Sequence, residues 1–296
     1  MISTHRLEKH TLNTVFLNGT FMPLEEARIS PLDRGFLFGE GLYEVLPCYG
    51  NRMIAWQWHK ERLTQGLQAL DIKLQYDWQQ LQDFCQQLTQ YNPEPDQGIY
   101  IHITRGAEEK RFHGWHNNAE PTIFMMTFPI PTLTEPDFDQ CKPLRLGLEQ
   151  DLRWRNCHIK STSLLGNVLH FQSAQQEGLN EVLLLGDDGT ITEASTSNVF
   201  ICKDNEVHTP PLSSALLPGI TRRIIMDILD RHSALTLQES VITQDMLFTA
   251  DEVWLTSSTK GVVPVVEVAG KTIADGKPGK HWLDTARLYF QHRFDY

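Results

Sequence analysis

The chain has 296 residues, 41% hydrophobic and 21% charged, enough for one large or two ordinary domains around a buried core. Twenty-six basic against 37 acidic residues leave a net charge of −11, which removes any overall basic field for nucleic acid or for an anionic membrane. Five scattered cysteines without a C-x-x-C pair argue against a disulfide framework or zinc ribbon; with no apolar leader at Met1 to Arg6 and no run of about eighteen apolar residues, the expected location is the cytoplasm.

In chain order, 14–17 and 21–24 read as strands of a hairpin about Asn18-Gly19. Residues 32–41 carry three glycines and read as a loop before a β-prone run at 42–46. Leu63, Leu67 and Leu70, then Trp78, Leu81, Phe84 and Leu88, recur at helical spacing and mark two core-facing helices. Strands follow at 99–106 and 121–128. A proline cluster at 129–137 predicts an extended connector, so the expected division is a smaller N-terminal α+β domain at 1–130, a connector at 131–142 and a larger domain at 143–296.

In the second half a helix of about fifteen residues is predicted from Lys160 toward Glu177, then strands at 181–185 and 198–202 around Asp187-Asp188-Gly189. Ile224, Ile225, Ile228 and Leu229 give the apolar side of a helix whose first turn holds Thr221. Strands at 252–256 and 262–266 and a helix at 280–289 complete an α+β chain without internal repeats.

Lys160, heading its apolar-periodic segment, and Glu193, at an acidic strand end downstream, form the kind of pair that a Schiff-base cofactor requires. A phosphate needs backbone N–H groups, hydroxyls and a cation; Gly219-Ile220-Thr221 at a helix start, Thr256-Ser257-Ser258-Thr259 at a strand end, and Arg62 could supply them. Singly, each has a plainer explanation: a capped helix, a polar turn, a surface arginine, a solvated glutamate.

Together, Tyr43 to Val45, Lys160, Glu193-Ala194-Ser195-Thr196-Ser197-Asn198 and Leu217-Pro218-Gly219-Ile220-Thr221-Arg222 resemble, in order and over nearly the whole chain, the class IV (fold-type IV) pyridoxal-phosphate aminotransferases. The resemblance implies an α+β fold with a β-barrel-like larger domain and pyridoxal 5'-phosphate between the domains. It implies that Lys160 carries the cofactor as a Schiff base, that Glu193 meets the pyridine nitrogen, that Leu217 packs on the ring, and that Arg62, Ile220, Thr221, Ser257 and Ser258 hold the phosphate.

Arg105-Gly106 followed by Lys110-Arg111-Phe112-His113 resembles the Arg-x-His carboxylate trap of the D-amino acid branch, with a loop one residue longer. That similarity implies a homodimer with shared sites, in which Arg111 and His113, with Tyr43, bind the substrate carboxylate across the interface. The expected reaction is ping-pong transfer between a D-amino acid, D-alanine foremost, and a 2-oxo acid such as 2-oxoglutarate. The alternatives are a 4-amino-4-deoxychorismate lyase and, further off, a branched-chain L-aminotransferase. A metal on His113 and His116 lacks a third ligand at a recognisable spacing. Ser257-x-x-Lys260 lacks the companion motifs of penicillin-recognising hydrolases, and Cys157 with His158 does not read as a dyad.

Overall fold

The computed structural model describes residues 13–115 and 119–296. Met1 to Arg6 and His116, which entered the leader and metal expectations, lie outside the described residues.

The first half forms a six-stranded antiparallel sheet from β1 (Thr14–Leu17), β2 (Thr20–Pro23), β3 (Gly41–Tyr49), β4 (Arg52–Met53), β5 (Asp96–Thr104) and β6 (Thr122–Pro129), in the order β2-β1-β6-β5-β3-β4. Successive side chains of a strand point to opposite faces. One face, with Leu42, Leu46, Ile99, Ile101, Ile103 and Met125, is buried under the predicted helices, now α2 (Trp56–Ala69) and α3 (Trp78–Tyr91). Asp77 and Gln80 close a reciprocal capping box at the start of α3. The opposite face carries Tyr43 across from His102 and Val45 across from Tyr100, all only partly buried.

The loop expected at 32–41 contains a five-residue helix, α1 (Arg34–Phe38). Asp33 accepts a hydrogen bond from the Gly35 N–H at its start, and Gly39 ends it in the left-handed region at φ 65°. The glycines that suggested a loop therefore punctuate a single helical turn.

The second sheet has ten strands: β7 (Leu144–Gln150), β8 (Glu181–Leu185), β9 (Thr190–Ala194), β10 (Asn198–Lys203), β11 (Glu206–Thr209), β12 (Thr236–Glu239), β13 (Ile242–Thr243), β14 (Glu252–Ser257), β15 (Gly261–Val268) and β16 (Lys271–Thr272). Their order is β12-β11-β10-β14-β15-β7-β8-β9-β13, with β16 on β15, and the pairing is mixed. β9 and β10 stand five strand spacings apart in that order, about 24 Å in a flat sheet. Residues 195–197 alone join them, a reach of about 14 Å. The sheet must therefore curl into an open half-barrel.

Leu183, Val199, Ile201, Val253, Leu255 and Val265 fill one side of this half-barrel. Phe200 and Trp254 face the other, under α5 (Ile220–His232) and α7 (Lys280–His292), while α4 (Leu165–Gln176) and the short α6 (Gln244–Thr249) lie elsewhere on the sheet. The α5/α7 cluster also takes in Tyr49, Ile54, Ala55 and Ile130 from the first half, so the two halves share a core. Between Pro129 and Leu144 the chain has no helix or strand.

Candidate active site

The Lys160 segment is fixed at the seam between the two sheets. The Tyr43 N–H donates to the Lys160 carbonyl at 3.0 Å and the Thr162 N–H to the Gly41 carbonyl at 2.9 Å, so residues 160–162 bond to the part of β3 that β4 leaves open. The helix predicted to start at Lys160 begins only at Leu165, because these bonds hold the lysine stretch extended. The Lys160 Nζ lies 4.1 Å from the centre of the Tyr43 ring.

Around it opens a cavity of about 450 Å³, within the range of small-molecule sites. Lys160, Arg62, Glu193, Leu217, Ile220, Thr221, Ser257, Ser258 and Tyr43 all line it, although they come from β3, α2, β9, α5, the end of β14 and the links before α4 and α5. Arg111 and His113 do not. Both are exposed, beside the Phe38 ring at 5.1 and 5.3 Å, in a loop whose carbonyls at Phe112, His113 and Gly114 accept hydrogen bonds from buried Arg34.

Glu193 sits at the end of β9 with one oxygen 2.7 Å from Arg153 Nη1, while the other accepts from Asn198 Nδ2 and the Leu217 N–H, both at 3.1 Å. Burial pushes its carboxyl up to about 7, an effect that the Arg153 charge and the Leu217 hydrogen bond only partly offset. Arg153 is itself held by Asp151 through three bonds of 2.8 to 3.0 Å. Buried Glu181 accepts from the hydroxyls of Ser195, Thr196 and Ser197 and from the Thr196 N–H, which fixes the turn between β9 and β10.

At the opposite end α5 begins at Gly219 with no side chain capping it, which leaves first-turn N–H groups directed at the cavity's edge. A Cβ built on Gly219 would lie 1.9 Å from Asn198 Oδ1, so this close approach of backbone to side chain needs glycine. Beside it, Thr256 Oγ1 is buried without a hydrogen-bond partner among the described residues. An uncapped helix start, neighbouring hydroxyls and an orphaned buried donor suit a phosphate; a buried carboxyl and a lysine amine on the same cavity suit a pyridine aldehyde.

Arg62 departs from the simplest expectation. Its Nε and Nη2 grip Glu44 as a fork at 2.8 and 2.7 Å, and its Nη1 donates to the Pro218 carbonyl at 2.9 Å. Only the remaining N–H groups are free to meet an anion. Sequence reasoning named Glu44 merely as part of a motif and missed Arg153, Glu181 and His59. Arg153 and Glu181 stand at no periodic distance from the residues they hold, with the Asp151-Leu152-Arg153 alternation a faint local cue; His59 lies at helical spacing from Arg62, a signal that went unused.

The family model of amino-transferase class IV matches residues 41–268, and the chain belongs to that family of enzymes. Among individual relatives, it is 34% identical over 265 residues to the D-alanine aminotransferase of Bacillus licheniformis, covering 90% of this chain and 92% of that one. It is 33% identical to the D-alanine aminotransferase of Staphylococcus haemolyticus, over 90% and 93% of the two chains. By structure it is similar to the branched-chain aminotransferase of Escherichia coli, at TM-score 0.84 and 20% identity over 96% and 95% of the chains. A hypothetical aminotransferase from Mycobacterium tuberculosis in a PLP-bound form matches at 0.80 and 18%, over 95% and 98%. At such identities these two structures speak for the fold alone.

Proposed function

We propose that the protein is a pyridoxal 5'-phosphate-dependent transaminase that moves the amino group of a D-amino acid, D-alanine foremost, to a 2-oxo acid such as 2-oxoglutarate. The observation that carries this is the convergence of Lys160, Glu193 and Thr221 on one cavity in a chain one-third identical to D-alanine aminotransferases over nine-tenths of its length. In the net reaction D-alanine and 2-oxoglutarate give pyruvate and D-glutamate. The amine and one hydrogen pass to the 2-oxo acid skeleton while a carbonyl oxygen, by way of water, passes to the amino acid skeleton, so that no outside oxidant is needed.

When bound, the cofactor supplies an electron sink for the substrate's α-carbon. The chain's own residues do the rest. Lys160 Nζ would hold the cofactor, then, once released by the incoming amine, take the α-proton as base and deliver it as acid. The Glu193 carboxyl would meet the pyridine nitrogen. Leu217 would pack on the ring, and Arg62, Ile220, Thr221, Ser257 and Ser258 would bind the phosphate. Tyr43, above the lysine, borders the substrate end.

Two observations support a homodimer with shared sites. Arg111 and His113 stand outside their own chain's cavity, where they could serve a second copy. Leu152, Leu165, Val168 and Leu169 are more than half exposed, an apolar band beside the cavity residues Trp154 and Asn167. The break in regular structure after Pro129 favours 131–142 as the connector between domains. Among the described residues no helix is long and apolar enough to cross a membrane.

The test is a half-reaction: the purified holoenzyme mixed with D-alanine, then with L-alanine, and the cofactor's visible band followed. Conversion by D-alanine alone is expected. Conversion by L-isoleucine instead would move the reading to a branched-chain enzyme, and pyruvate release from aminodeoxychorismate without any half-reaction would move it to the lyase.

A further inference from the structure

Glu44 lies on β3 between Leu42 and Leu46, at a position whose neighbours on the same face are core leucines, and it is 1% exposed. Three bonds hold its carboxylate: the two-pronged grip of Arg62 and a 2.7 Å contact with His59 Nδ1. His59 and Arg62 are one turn apart on α2, so both present the same helix face to β3. Burial alone would raise the Glu44 carboxyl, but Arg62 and then His59 hold it well below the usual carboxylate range. Burial likewise keeps His59 below its ordinary value, against the pull of Glu44. An ionised carboxylate only accepts, so His59 Nδ1 carries the proton and donates.

A buried ion pair is weak evidence for stability, since an apolar trio of similar volume often does as well or better. What distinguishes this one is where its free end lies. Arg62 has five N–H groups; two go to Glu44 and one to the Pro218 carbonyl, just before Gly219 and the start of α5. The guanidinium is thereby fixed in plane and rotation at the cavity wall, with its two remaining N–H groups available there.

We propose that Glu44 and His59 are positioning residues for the phosphate of the cofactor: they touch no ligand themselves and act by aiming Arg62. The proposal rests on the pyridoxal-phosphate reading above. It assigns a purpose to a buried carboxylate and imidazole that the transamination chemistry leaves unused.

Pyridoxal, which lacks the phosphate, separates this role from a merely structural one. Apoprotein is titrated with pyridoxal 5'-phosphate and with pyridoxal, and the dissociation constants are read from visible absorbance. Glu44→Asp keeps the charge but shortens the arm by a methylene, so the fork cannot be kept with Arg62 in place. Its affinity for pyridoxal phosphate should fall about tenfold or more, the scale of one charge-assisted hydrogen bond, with that for pyridoxal unchanged. His59→Ala should lose phosphate discrimination in the same sense. His59→Asn, whose amide nitrogen can stand where Nδ1 stood, should restore it.

Equal losses for both ligands, or a ratio that stays at the wild-type value in Glu44→Asp and His59→Ala, would overturn the proposal. Where the shortened carboxylate prevents folding, the His59 pair decides alone. Wild-type protein that bound no pyridoxal phosphate would instead defeat the cofactor reading, and that result is distinct from either.

Discussion

In the proposed transamination Lys160 is the residue on which the chemistry turns, and its environment is permissive rather than committed. Its amine lies over the Tyr43 ring with no carboxylate bonded to it among the described residues, so it is available to a carbonyl. Lys160→Ala should lower turnover at least about a thousandfold, the scale of losing nucleophile and acid/base together. Borohydride, which should attach the cofactor to the wild-type chain at this position, should leave the variant unlabelled. Glu193 is tuned the other way, with burial pushing it up to about 7 from 4.5. In the cofactor-free protein a carboxyl raised in the folded state contributes stability that is complete below pH 4.5 and lost as pH rises through 7. The contribution is about 3 kcal/mol. Urea unfolding of apoprotein at pH 5 and pH 8 should therefore show a larger drop for wild type than for Glu193→Gln, and equal drops would deny the shift. Arg111→Ala should raise KM for the amino acid about tenfold or more while leaving the cofactor's absorbance unchanged; a lost absorbance would make Arg111 structural. That Lys160 and Glu193 would come together was legible in the sequence because motifs preserve order, whereas Arg111, named in the same way, stands outside the cavity. The partners of the site residues were not legible, since Arg153 reaches Glu193 across 40 residues and Glu44 meets Arg62 across 18.

At the scale of elements, periodicity served where a helix has one wet and one dry face. The Leu63/Leu67 and Leu81/Leu88 stripes are the buried sides of α2 and α3, and Ile224, Ile225, Ile228 and Leu229 are buried along α5. It failed where tertiary bonds override it. Residues 160–162 are drawn out along β3 instead of starting α4, and α1 hides between the Asp33 that caps it and the Gly39 that ends it. The half-barrel was equally invisible in local pattern, because its curvature follows from strand order and the tight β9–β10 link. The start of α5 offers a direct probe. Gly219→Ala would drive a methyl into Asn198 Oδ1, and Asn198 also holds Glu193 and the Leu217 carbonyl. The expected outcome is a cofactor affinity at least about tenfold weaker, with loss of about 1–3 kcal/mol of stability from the forced overpacking. Unaltered cofactor binding would show that this end of the cavity is not the phosphate seat.

For the molecule as a whole, two sheets with a shared core around Phe200, Trp254, Tyr49 and Ile54 bring the lysine segment, the carboxyl and the α5 start onto one cavity. Neither sheet alone contains the set. The homodimer proposed above makes its own prediction through the apolar band on α4: Leu165→Asp with Leu169→Asp should shift sedimentation from dimer to monomer, and activity should fall with it, since in that proposal Arg111 and His113 would no longer reach a second site. A variant that stays dimeric would place the interface elsewhere. A lysine-borne cofactor acting on D-amino acids can be put to stopped-flow mixing of the holoenzyme with D-alanine and, separately, L-alanine. D-alanine should convert the cofactor's visible band to that of its amine form with release of pyruvate, and L-alanine should not. A band unmoved by D-alanine, or moved equally by L-alanine, would contradict it.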